Sequence, residues 1–77
     1  MLTVEYRKEA YDRLKKECET TTSVIIRKRC RALMAKMSEP GLGSKRIAAI
    51  AGCSRNFVDS LIHAYNGGGI DSVLKVD

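Results

Sequence analysis

The sequence predicts an all-α fold, a small helical bundle, and three observations predict it. Apolar residues recur at helical spacing in successive segments, clusters of turn-forming residues separate those segments, and 77 residues suffice for one domain at most. A chain of this size buries only about 60% of its unfolded surface, so helices with short connections are the economical solution. The apolar content of 44% is ordinary for a folded chain. The expected division of this one domain, 1–77, is an N-terminal helix at 1–20, a three-helix core at 23–65 and a short C-terminal turn at 66–77.

Thr3 is the expected N-cap of the first helix, with Glu5 favourably placed in the turn that follows. Val4, Tyr11, Leu14 and Cys18 recur at offsets 0, 7, 10 and 14, one stripe of a helix over 4–18. The run Thr20-Thr21-Thr22-Ser23 disfavours helix interior and supplies capping hydroxyls. A second helix follows at 23–37, where Ile26, Cys30, Leu33 and Met37 share a face. Arg27, Lys28 and Arg31 point to its flank or opposite side. Pro40, Gly41 and Gly43 break the pattern and predict a surface turn.

Ser44 is the next cap candidate, and Lys45 to Ala51 form a short third helix. Gly52 stops it, in a left-handed conformation that a residue with a Cβ would resist. Ser54 caps a fourth helix from Arg55 to about Tyr65, and Asn66-Gly67-Gly68-Gly69 ends it. Ile70, Val73 and Leu74 then have the spacing for one turn packed back on the bundle.

Charge is concentrated in the middle of the chain. Residues 1–20 carry five Lys/Arg and five acids, and residues 56–77 carry Lys75 against Asp59, Asp71 and Asp77. Residues 21–55 carry eight Lys/Arg against Glu39, a net +7. A focused basic region suits a polyanion, most often nucleic acid, and suits a solvated helix face as well. Cys18, Cys30 and Cys53 have no Cys-x-x-Cys spacing and His63 stands alone, so no metal site and no cofactor are expected. The cysteines read as small buried hydrophobes of a reducing cytoplasm. No apolar run is long enough to span a membrane, and the N-terminus lacks the apolar core of a signal peptide. The acids of the first helix read as a solvated face with no catalytic carboxylate pair, and Tyr6 and Tyr11 as packing residues.

The informative segment runs from Ser44 to Tyr65. Ala48, Gly52 and Val58 stand at the spacing Ala-x-x-x-Gly-x-x-x-x-x-Val. Ala48 is small where two helices cross, Gly52 permits a sharp turn, and Val58 fills the wedge, backed by Ile47 and Leu61. That is a helix-turn-helix, whose second helix enters the major groove. With Val58 at zero, Leu61, Ile62 and Tyr65 fall within about 60° of it, while Asn56, Ser60 and His63 fall on the far side. Arg55 and Asp59 lie at the edges. The expected base-facing residues are therefore Arg55, Asn56, Asp59, Ser60 and His63, because asparagine pairs with adenine edges and serine and histidine accept or donate. The expected phosphate contacts are Arg27, Lys28, Arg31, Ser44, Lys45, Arg46 and Ser54.

From Leu2 onward the chain resembles the N-terminal DNA-binding domain of bacterial insertion-sequence transposases of the mariner-like superfamily. The resemblance rests on Leu-Thr-Val-Glu-Tyr-Arg-Lys-Glu at the start, Ile26 to Leu33, Ser44 to Gly52, Ser54-Arg55, and Tyr65 to Ile70 with Leu74. It implies a homeodomain-like helix-turn-helix that recognises the terminal inverted repeats of a mobile element. Such transposases continue into a catalytic domain with a metal-binding acidic triad, which these residues do not contain. The chain is therefore expected to be a fragment or an orphan module, non-catalytic, bacterial and cytoplasmic at the nucleoid. Its expected partner is double-stranded DNA, with no small-molecule substrate; a homodimer is left open. A stand-alone transcriptional regulator and a protein-interaction bundle are the alternative readings.

Overall fold

A computed structural model describes residues 3–75, and its elements are α1 (Lys8–Thr20), α2 (Val24–Ser38), α3 (Ser44–Ala51) and α4 (Arg55–Leu74). The all-helical bundle expected from the spacing is present. Leu2, where the resembling stretch begins, and Asp77 lie outside the described residues.

The central post is α2. Its stripe of Ile26, Cys30, Leu33 and Met37 is buried, and α1, α3 and α4 each pack on it. Ser23 caps it, accepting from the Ile26 amide at 3.2 Å. At its other end stands a buried charge. Lys36 is 2% exposed, and its ammonium donates to the carbonyls of Pro40 at 2.9 Å and Leu42 at 2.7 Å. These charge-assisted bonds close the loop between α2 and α3.

The α3–turn–α4 unit forms as the sequence predicts. Gly52 sits at φ 73°, ψ 40°, in the left-handed region. The Ala48 carbonyl accepts from both the Gly52 and the Cys53 backbone amides, the latter at 3.0 Å, which closes the end of α3. Ala48, Ile47, Val58 and Leu61 are all buried at the helix crossing. Ser54 caps α4 through the Phe57 amide at 3.1 Å. Ser44, expected to cap α3, does not: Gly43 holds the cap position and Ser44 is the first helical residue. The Gly43 carbonyl accepts from Arg46 and Ile47, so the serine hydroxyl is released for another partner.

Two boundaries differ from expectation. The first helix begins at Lys8, with extended Arg7 as its N-cap and Thr3 in the non-helical segment before it. Val4 is nevertheless buried, at 4% exposure. This non-helical segment carries the chain to α4, where the Thr3 carbonyl accepts from the Asn66 side-chain Nδ2 at 2.9 Å. Tyr6 lies against Tyr11, ring centroids 5.8 Å apart, and stays largely exposed.

The second difference is the end of α4. Asn66, Gly67 and Gly68 remain helical, and the break comes only at Gly69, with φ 75° and ψ −169°. Glycine costs a helix about 1 kcal/mol against alanine but does not forbid it. Beyond the break the chain makes one more turn, which buries Val73. Residues 66–74 thus continue α4, bent at one residue, where a separate short turn was expected. This stretch is clasped by the Arg29 guanidinium, which donates to the carbonyls of Val73 at 3.0 Å and Lys75 at 3.1 Å, and by Arg13 paired with Asp71 at 2.9 Å.

The glycines make opposite predictions. Gly67 is helical with open space where a Cβ would point, so Gly67→Ala should stabilise the chain by about 0.5–1 kcal/mol. Gly69→Ala should destabilise it by roughly 1–3 kcal/mol, because that backbone conformation is nearly closed to other residues. Urea denaturation of both variants checks the signs. Cys30 supplies a pH prediction. Burial, with smaller contributions from Cys18 and Glu17, pushes its thiol up from 9.0 to about 11. The folded chain therefore holds this proton more tightly than the unfolded one. That stability is complete below pH 9 and is lost as pH rises through 11. Denaturation midpoints of wild type and Cys30→Ala across this range should converge as pH rises.

Candidate nucleic-acid interface

The two faces of α4 differ sharply. Val58, Leu61 and Ile62 are buried, whereas Asn56, Ser60 and His63 are exposed. With Gly67 these three occupy successive turns of one outward stripe. The stripe carries short polar side chains, one imidazole and a bare backbone at its far end. Nothing bulky or apolar stands on it.

Its flanks are cationic. Arg55 is exposed at the start of α4, and Lys45 and Arg46 are exposed at the start of α3. The starts of these helices are tied together, since the Ser44 hydroxyl donates to the Asp59 carboxylate. This bond sets Lys45 and Arg46 beside the first turns of α4. Asp59 and Ser44 were expected to face bases and phosphate, and the structure gives both another role. Each is half-buried, and each is the other's partner. The spacing places Asp59 at the edge of the polar face, and that edge is where α3 packs. Arg55 adds a long contact to the same carboxylate, 3.9 Å, so the one acid in this half of the helix is held between a hydroxyl and a guanidinium.

The remaining expected contacts divide. Arg31 is exposed on α2. Lys28 is half-buried beside the α3–α4 turn, where its ammonium acts to lower the Cys53 thiol; burial outweighs it and raises that thiol. Arg27 is committed elsewhere, donating to the Thr21 carbonyl at 2.9 Å in the α1–α2 connection. Ser54 is exposed, but its oxygen already caps α4. Of the cysteines, Cys30 is buried and Cys18 and Cys53 are half-buried.

Sequence reasoning missed Arg29 and Lys36. Nothing local signals Arg29, whose partners lie 44 and 46 residues on. Lys36 had a signal: a cation between Leu33 and Met37 on the inward stripe, four residues before Pro40. Arg29 also borders a cleft of about 430 Å³ that opens beside Asn56 and Ser60.

Among the described residues no three His, Cys, Asp or Glu side chains are grouped to hold a metal ion, and no helix is long and apolar enough to cross a membrane. The arrangement offers neutral hydrogen-bonding groups on a convex helix with cations at its margin. No family model, no curated protein and no solved structure matches the chain.

The Ser44–Asp59 bond can be measured by a double-mutant cycle. Ser44→Ala, Asp59→Ala and the double variant should give a coupling of about 1.5–3 kcal/mol, the range for hydrogen bonds to charged groups. Additive losses in thermal or urea unfolding would mean that the contact holds nothing in place.

Proposed function

We propose that this chain is a sequence-specific double-stranded DNA-binding module, with α4 as the helix that enters the major groove. The observation that carries the reading is the exposed stripe of Asn56, Ser60 and His63 on a helix whose opposite face is buried, flanked by exposed Arg55, Lys45 and Arg46. A helix with side chains is about 10–12 Å across and the major groove about 12 Å wide, so a reading face must be narrow and polar. Asn56 stands on the first turn of α4, the end that lies deepest in such complexes. Lys45 and Arg46 supply phosphate contacts, which position the helix without reading sequence.

Within this function we propose the terminal inverted repeats of an insertion sequence as the target. The support is the resemblance of Ile26 to Leu33, Ser44 to Gly52, Ser54-Arg55 and Tyr65 to Ile70 to the N-terminal domains of mariner-like transposases. A second reading, a protein-binding bundle, is favoured by the exposure of Val24, Ile25 and Ile50, each more than half accessible.

The test begins with selection of duplexes from a random pool, followed by affinity measurements on a selected and a random duplex. Asn56→Ala should cost about 1–3 kcal/mol on the selected duplex and little on the random one. Arg46→Ala should weaken both about equally. Equal losses from Asn56→Ala on both duplexes would remove α4 from the groove. An affinity independent of salt would favour the protein-binding reading.

A further inference from the structure

The cleft beside the stripe has two walls of different origin. α4 supplies one through Asn56, Ser60 and Ala64; the turn after Gly69 supplies the other through Ser72 and Val73. Phe57 and Leu61 add apolar surface, and Arg29 reaches in from α2. Arg29 is the one charged residue among the described lining residues, and no carboxylate is with it. The cleft thus joins apolar carbon, neutral hydroxyl and amide groups, and a guanidinium.

The guanidinium is oriented. Both of its hydrogen bonds among the described residues use Nη1, to the Val73 and Lys75 carbonyls. Arginine carries five N–H donors, so the Nε and Nη2 edge keeps three. That edge is the fork that grips a phosphate through two parallel bonds. Apolar surface next to such a fork matches a sugar ring next to a phosphodiester.

We propose that this cleft seats a sugar–phosphate segment of one DNA strand, with Arg29 as its phosphate contact. The proposal rests on the DNA-binding reading above. Two features favour this occupant. The first is continuity, because Asn56 and Ser60 belong both to the outward stripe and to the cleft wall. A duplex lying along the stripe brings one strand to the cleft mouth. The second is charge, a cation with no acid beside it among the described lining residues.

Arg29→Gln is the obvious variant, but it also undoes the clasp on the C-terminal turn. Ala64→Glu and Ser72→Glu leave that clasp intact, since both positions are exposed and neither takes part in it. Each places a carboxylate in the cleft. Lys16→Gln, on the exposed surface of α1, changes net charge equally and is the control. Affinities for a selected and a random duplex are measured over a salt series, with thermal melts alongside. Both cleft variants should weaken binding to the two duplexes alike, several-fold more than Lys16→Gln does. Each should lower the log–log salt slope by about one unit. In the Ala64→Glu background, Arg29→Gln should cost less affinity than it does alone. If wild type binds DNA and both cleft variants behave like Lys16→Gln, the cleft lies off the DNA and the proposal falls, while the reading of α4 stands. If wild type binds no duplex, both fall.

Discussion

The orientation of α4 depends on a charge placed where charges are costly. An ammonium taken from water loses hydration worth several kcal/mol unless hydrogen bonds replace it, and Lys36 finds its replacement in the Pro40 and Leu42 carbonyls. Those bonds fix the path of the loop, and the path fixes Gly43 as the entry to α3. With Gly43 as cap, Ser44 is turned toward Asp59. The exposed face of α4 is therefore set by a relay of directional contacts laid over a small apolar core. Hydrophobic burial alone is non-directional and would leave the angle between α3 and α4 loosely specified.

The features legible in the sequence were those that a local rule governs. The stripe from Ile26 to Met37 follows the helical period. Gly52 marks a left-handed turn, and Ser23 and Ser54 cap the helices that follow them. The misplaced start of α1 shows what periodicity records. Val4 keeps the phase of Tyr11 and Leu14 and is buried, yet it lies outside the helix, because spacing reports burial and not conformation. The end of α4 was misread because three glycines look like one signal. Only Gly69 uses glycine's freedom, and Gly67 and Gly68 stay helical.

The candidate face was legible on its exposed side and not on its packed side. Asn56, Ser60 and His63 follow from the wheel alone. Asp59 lies only about 40° from His63 on that wheel, and its role was decided by Ser44, fifteen residues earlier. The basic segment divides in the same way. Arg27, Arg29 and Lys36 donate to backbone carbonyls, whereas Arg31, Lys45, Arg46 and Arg55 are exposed. Net charge counts these two groups together. Apart from the Arg29 edge in its cleft, the exposed cations beside α4 come from the starts of two helices, a smaller and better defined source than the segment's total suggests.

The clasp at Arg29 also divides the molecule in time. Contacts within the α1–α2 and α3–α4 hairpins join near neighbours, while Arg29 to Val73 spans 44 residues and Asn66 to Thr3 spans 63. Closures over such distances carry the largest loop entropy and form after local pairs are in place. The last turn is thus the final piece to dock and the first to lift, pivoting on Gly69. By that order, amide protons there are expected to exchange with solvent through a small opening and those of α2 only on global unfolding. The bundle accordingly has two cooperative tiers, and the upper tier is a wall of the Arg29 cleft.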